Sequence, residues 1–188
     1  MIRRVRENIE ALRQGEALLG RLGDEQYTQL LRPAFEATLG AHIRHNLDHY
    51  ACFLAGLDSG LIDYAARSRD LRVEQCRQIA LSESLRLCKA LEGLQSDRQG
   101  LHLLAEADED GRRLLTATSV ERELEFLLSH TIHHYSILAV MCRLQGVSVP
   151  ADFGVAPSTL RHRAAHATAQ GAPKAAPARE ADFPACAR

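Results

Sequence analysis

Apolar side chains recur every three or four positions over four long stretches of the chain, with polar and charged side chains between them. This spacing is typical of amphipathic helices, because it places the apolar side chains on one face. The pattern predicts four helices, over residues 3–21, 33 to about 60, 70–94 and 118–145. Four such faces can close around a single core, so the sequence predicts an all-α helix bundle.

Residues at the predicted helix ends support these limits. Pro33 is expected to open the second helix, since proline is tolerated in a first turn. Asp70 is a suitable N-cap for the third helix. Thr118, with Glu121 three residues later, predicts a capping box for the fourth helix, and Gly146 is expected just beyond its end.

The segments outside the helices differ in composition. Residues 99–117 lack the helical period and contain two short apolar runs around an acidic turn, which indicates a short hairpin. From residue 167 the chain is rich in Ala, Pro and Gly, which is typical of a disordered tail. We therefore expect one helical domain over residues 1–166 and a disordered tail over residues 167–188.

Composition narrows the classes of partner. The chain has 188 residues, 46% of them hydrophobic, which is enough for one domain with a real core. With 23 basic and 24 acidic residues, it shows no charge excess that would favour nucleic acid or an anionic membrane. No apolar run approaches the roughly 20 residues that span a bilayer, and no apolar signal segment follows the first charges. We expect a cytoplasmic protein.

Histidines are concentrated on two of the predicted helices. The second helix carries His42, His45 and His49, and the fourth carries His130 and His134. Histidines four positions apart on a helix point the same way, and imidazole is a common metal ligand. Clustered imidazoles at a core edge need partners and repel one another when protonated, and a divalent cation removes both problems. The sequence thus favours a divalent-metal site between the two helices, against the alternative of unrelated histidines.

Two other kinds of site are not expected. The five cysteines are odd in number and include no CxxC pair, which argues against a disulfide framework or a Cys-rich zinc site. Thr131 follows His130 where the HExxH motif of zinc proteases requires Glu, so that motif is absent.

The segments around these histidines resemble the DinB/YfiT-like superfamily. The likeness is carried by residues 38–49 (TLGAHIRHNLDH) and 122–134 (RELEFLLSHTIHH), and it extends roughly over residues 1–162. Such proteins fold as up-down-down-up four-helix bundles, commonly as homodimers, and hold a divalent metal, often zinc or nickel, on three histidines. Matched by position, the resemblance implies the ligands His45, His130 and His134. His49 is the main rival ligand.

The resemblance also implies an activity. Characterised relatives include metal-dependent transferases that use low-molecular-weight thiols, such as bacillithiol and mycothiol, and a maleylpyruvate isomerase. We therefore expect a small-molecule thiol and an electrophile as partners, with the metal favouring the thiolate. A non-catalytic metal-binding stress-response module and a purely structural dimeric bundle are the alternatives.

Further residues are assigned roles around this site. Glu123 or His133 is expected to orient a ligand imidazole or accept a proton. Arg44, Arg67 and Arg69 are candidates for holding a carboxylate of the cosubstrate. Three histidines have no fixed role in the family pattern, and they are expected either to surround the ligands or to mark a subfamily with other chemistry: His42, His49 and His133.

Overall fold

The computed structural model describes residues 3–94 and 99–171, with side chains through residue 166. These residues are mostly helical and form α1 (Arg3–Leu19), α2 (Asp24–Thr28), α3 (Leu39–Ser59), α4 (Leu71–Gln75), α5 (Arg77–Glu92), α6 (Val120–Leu144) and α7 (Pro157–Gly171). A short 3-10 helix spans Tyr64–Ala66. The chain divides into two compact units, Met1–Ala156 and Pro157–Arg188.

The core of the first unit lies among its four long helices. Helix α1 packs against α5 and α6, and α3 packs against the same two helices. Each of the four contributes large apolar side chains that are almost wholly buried, among them Leu12, Leu19, Tyr50, Phe53, Leu87, Leu91, Leu124 and Leu127. The apolar faces predicted from the sequence period are therefore the faces that form the core.

Two helix starts differ from the prediction. Helix α3 begins at Leu39 and not at Pro33, because Thr38 caps it by accepting a hydrogen bond from the backbone N–H of Ala41. Helix α6 is capped by Ser119, one residue after the predicted Thr118. In both cases a nearby hydroxyl satisfies an otherwise unpaired N–H at the helix start, and this sets the first residue.

The predicted third helix is divided. Asp70 caps α4 by accepting from the N–H of Arg72, as predicted. Helix α4 ends at Gln75, and Cys76 has an extended backbone with φ −129° before α5 begins at Arg77. The sequence pattern does not reveal this break, because apolar side chains on both sides of it face the core at helical spacing.

A small sheet accompanies the helices, so the fold is not purely α. The predicted hairpin is confirmed: β2 (His102–Leu104) pairs antiparallel with β3 (Leu115–Ala117). Strand β1 (Leu61–Ile62) pairs parallel with β2 and was not predicted, since two residues show no period. It follows α3 directly, after Gly60 with φ 77°.

The second unit begins with α7. This helix runs to Gly171, so the first five residues assigned to the tail, 167–171, are helical. The rest of the predicted tail, residues 172–188, lies outside the described residues, together with Cys186. In the part of the chain that is described, no helix combines the length and apolar character needed to cross a membrane.

Candidate metal centre

Helices α3 and α6 bring histidines together at the edge of the core. His45 and His49 from α3 and His130 from α6 each offer a ring nitrogen, and these nitrogens all lie within 4.8 Å of one another. The ring centroids are 4.2 Å apart for His49 and His130, and 4.5 Å apart for His45 and His49. The predicted convergence of two histidine-bearing helices is therefore present in the structure.

Two of these rings have a nitrogen that is free to bind a metal ion. The Nδ1 of His49 lies 2.8 Å from the carbonyl oxygen of His45. A carbonyl only accepts, so Nδ1 carries the proton and Nε2 keeps a free lone pair. The Nε2 of His130 is buried and has no hydrogen-bond partner among the described residues. A buried unpaired nitrogen is destabilising, and a metal ion would satisfy it.

His134 and His42 lie beside this group. The His134 ring is 4.5 Å from that of His130 and 4.7 Å from that of His45. Its Nδ1 lies 3.0 Å from the Nδ1 of His42, so one of these two nitrogens donates to the other. The three nitrogens that lie closest together thus belong to His45, His49 and His130, and His134 lies next to them. We refer to His45, His49, His130 and His134 as the histidine cluster.

Burial keeps the cluster neutral. Desolvation, with repulsion from neighbouring histidines, lowers the pKa of His45 and of His130 to about 3. Desolvation and repulsion from His42 lower the pKa of His134 to about 4. Burial also lowers the pKa of His49. Neutral imidazole is the form that binds metals, so the cluster is in its ligating state at neutral pH.

A buried polar network joins α3 and α6. It joins Asn46, Tyr50 and Thr131, and each of these follows one residue after a histidine of the cluster. The Thr131 hydroxyl lies 3.1 Å from the Asn46 Oδ1 and 2.9 Å from the Tyr50 hydroxyl. Tyr50 in turn donates to the Oδ1 of Asn8 on α1 at 2.8 Å. This network, which sequence reasoning missed, therefore joins the two histidine-bearing helices next to the cluster.

Two aromatic rings form a wall beside the cluster. Tyr64 stacks on His49 with centroids 5.4 Å apart, and Phe126 stacks on His130 at 5.6 Å. The Tyr64 hydroxyl donates to the Oε2 of Glu123 at 2.8 Å. Stacking restricts rotation of both imidazoles, so the wall helps to hold their orientation.

Glu123 accepts a hydrogen bond from Tyr64 in this wall, and it has none to an imidazole among the described residues. Its side chain is fully buried and also accepts from Thr118 at 2.5 Å and from Arg122 at 2.9 Å. It is linked to the cluster through Tyr64, whose hydroxyl donates to it and whose ring stacks on His49. His133, the other candidate for this role, is exposed, with its ring 5.4 Å from that of His134.

The three candidate arginines have different environments. Arg44 is neutralised by Glu74 at 2.9 Å and Asp48 at 3.1 Å. Arg69 is exposed, and its backbone N–H donates to Asp48. Arg67 is half-buried and donates to the carbonyl oxygen of Tyr64 at 2.6 Å, without a carboxylate partner among the described residues. Arg67 is thus the arginine whose charge remains available near the cluster.

Comparisons with known proteins add one likeness. The chain is 31% identical over 105 residues to FK506-binding protein 5 of Rhizopus delemar. The match covers 54% of this chain and 27% of that protein, so the chain spans about a quarter of the relative's length. No protein-family profile matches the chain, and no solved structure matches it.

Proposed function

We propose that this chain is a divalent-metal-binding protein that holds one ion between α3 and α6 on His45, His49 and His130. The supporting observation is the set of three ring nitrogens within 4.8 Å. Tetrahedral zinc with Zn–N bonds of about 2.0–2.1 Å needs nitrogens about 3.4 Å apart, so small side-chain rotations close the site. An all-imidazole set suits zinc or nickel, whereas magnesium and calcium prefer oxygen ligands.

We further propose a DinB-like four-helix bundle. The supporting feature is that α1 and α3 each pack against both α5 and α6, as opposite members of a bundle do. Formation of a homodimer and a cytoplasmic location rest on the resemblance of the histidine segments to that superfamily.

As an activity we propose transfer of a low-molecular-weight thiol to an electrophile. A divalent ion on neutral imidazoles supplies Lewis acidity that lowers the pKa of a bound thiol. Arg67 is the residue of this chain that we assign to a carboxylate of the cosubstrate, since its guanidinium has free donors and its charge adds to the effect of burial in lowering the pKa of His45. Arg44 is unsuited to this role because two carboxylates already occupy it.

The position of His49 favours a second candidate function. His49 and His134 both lie next to His130, so the cluster offers four imidazoles in all. Four imidazoles complete a tetrahedral shell, and closed shells are typical of structural metal sites. On this alternative the protein is a non-catalytic metal-binding module.

Metal analysis of purified protein tests the proposed ion. We expect about one tightly bound zinc or nickel ion per chain after reconstitution and removal of weakly bound metal, and its loss in His45→Ala and in His130→Ala. His133→Ala is the matched control, because His133 is an exposed histidine on the same helix. Protein that takes up no stoichiometric metal, or His130→Ala protein that binds as tightly as wild type, would contradict the proposal.

A comparison of His49→Ala with His134→Ala identifies the third ligand. If His45, His49 and His130 are the ligands, His49→Ala weakens binding by more than about 100-fold, and His134→Ala by only about 10- to 100-fold, as expected for an outer partner. The reverse order would assign the ligand role to His134, as the resemblance implies.

The two candidate functions differ in their response to thiols. Cobalt-substituted protein changes its visible spectrum on addition of a thiol if a coordination position is open, and conjugation to an electrophile then depends on the metal. An unchanged spectrum with metal bound, and no turnover over a panel of thiols and electrophiles, would favour the non-catalytic module.

A further inference from the structure

Helix α7 carries a second pair of histidines that is separate from the histidine cluster. His162 and His166 are four positions apart and differ by only about 40° around the helix axis. Their ring centroids are 4.2 Å apart and the rings meet edge to face. Two imidazoles from one helical turn are therefore already side by side.

Both side chains are exposed, and neither ring has a hydrogen bond or ion pair in the described part of the chain. Their nitrogens are free to bind without the loss of an existing contact. An ion bound there reaches the site directly from solvent, and water can complete its coordination. Such a site exchanges its ion more readily than a buried one.

The surroundings limit the kind of ion. Residues 157–171 contain no Asp or Glu, so no carboxylate of α7 offers the oxygen ligands that magnesium and calcium prefer. Imidazole nitrogens favour copper, nickel and zinc, and divalent copper binds most tightly in the general order of stabilities. Arg161 and Arg163 lie on either side of His162 and oppose a cation, but exposed charges are strongly screened by water and salt.

We propose that His162 and His166 form a second, solvent-exposed chelate for a divalent transition-metal ion on α7. The chelate joins two residues one turn apart, so the bound ion also stabilises the helix between them. This site uses no residue of the histidine cluster. It therefore stands or fails independently of the proposed metal centre between α3 and α6.

The test uses the full-length chain without a polyhistidine tag, titrated with Zn²⁺ alone and with Cu²⁺ alone. Wild-type protein is expected to show a second, weaker binding event beyond the cluster. His166→Ala is expected to weaken that event about 100-fold, because it removes the gain from two linked ligands. Hydrogen exchange over residues 157–171 locates the event, since a chelate slows exchange in the turn that it spans.

A spacing variant provides the matched control. The double substitution His166→Ala with Ala164→His keeps all nine histidines but places the second imidazole about 200° from His162. It should lose the second event and the slowed exchange as His166→Ala does. The proposal would be overturned if the spacing variant kept the second binding event of the wild-type protein. It would also be overturned if the wild-type protein showed no binding at α7 even at millimolar ion.

Discussion

Replacement of Thr131 by Val tests whether the buried network sets the register of α3 and α6. Thr131 is fully buried, and its hydroxyl contacts Asn46, Tyr50 and the carbonyl oxygen of Leu127. Valine has nearly the same shape and a similar helix propensity, so the change leaves no large cavity. Its effect therefore comes from the lost hydrogen bonds.

The magnitude follows from the partners that remain. Tyr50 keeps its bond to Asn8, and the Leu127 carbonyl lies within a helix. Asn46 is only 1% exposed, and its Oδ1 loses its contact with the hydroxyl. A buried polar group without a partner costs about 1–3 kcal/mol, so we expect the free energy of unfolding to fall by about 2 kcal/mol.

Urea unfolding of metal-free protein at neutral pH measures this loss. We expect the midpoint to fall by about 1 M with an unchanged m-value, since m is about 1–3 kcal/mol/M for small proteins. Thr116→Val is the matched control, because Thr116 lies exposed on β3 and its replacement should change stability by less than about 0.5 kcal/mol.

Metal affinity is the second measurement on the same variant. If the network orients the imidazoles, Thr131→Val weakens metal binding by about tenfold, as outer-shell changes do. An unchanged affinity in a destabilised variant would show that the network stabilises the core without setting the geometry of the cluster. A stability equal to that of wild type would refute the energetic argument itself.

Three further outcomes are expected. Because burial lowers the pKa values of His45, His130 and His134 to about 3 or 4 in the folded state, the unfolded chain takes up protons first as pH falls below about 6.5. The urea midpoint of metal-free protein should therefore fall steadily from pH 6.5 towards pH 4, and a flat profile would contradict neutral buried histidines. Tyr64→Phe removes one donor from the buried carboxylate of Glu123 and should cost about 1.5–3 kcal/mol in thermal or urea unfolding, whereas no loss would show that this hydrogen bond is not needed. Gly56→Ala should cost about 1–3 kcal/mol, since its Cβ would lie 2.6 Å from the Cγ1 of Ile62, while Gly20→Ala, with no contact under 3.6 Å, should be nearly neutral.

The sequence alone determined the helical character of the chain and the two long helices whose histidines form the cluster. Both follow from local spacing: a period of 3.6 residues selects the buried face, and histidines four apart share a direction. The hairpin and the cap at Asp70 were also predictable, because turn and cap chemistry depends on a few neighbouring residues. The true starts of α3 and α6 were missed because several hydroxyl or proline residues near each start compete for the same role.

Only the tertiary structure decided how the site is arranged. Helical phase cannot tell whether His49 or His134 lies closest to His45 and His130, because the choice depends on the relative height and rotation of α3 and α6. Residues far apart in the chain meet between these helices, as Asn46 and Thr131 do in the core. The packing of separate helices is a property of the whole fold, so no local pattern contains it.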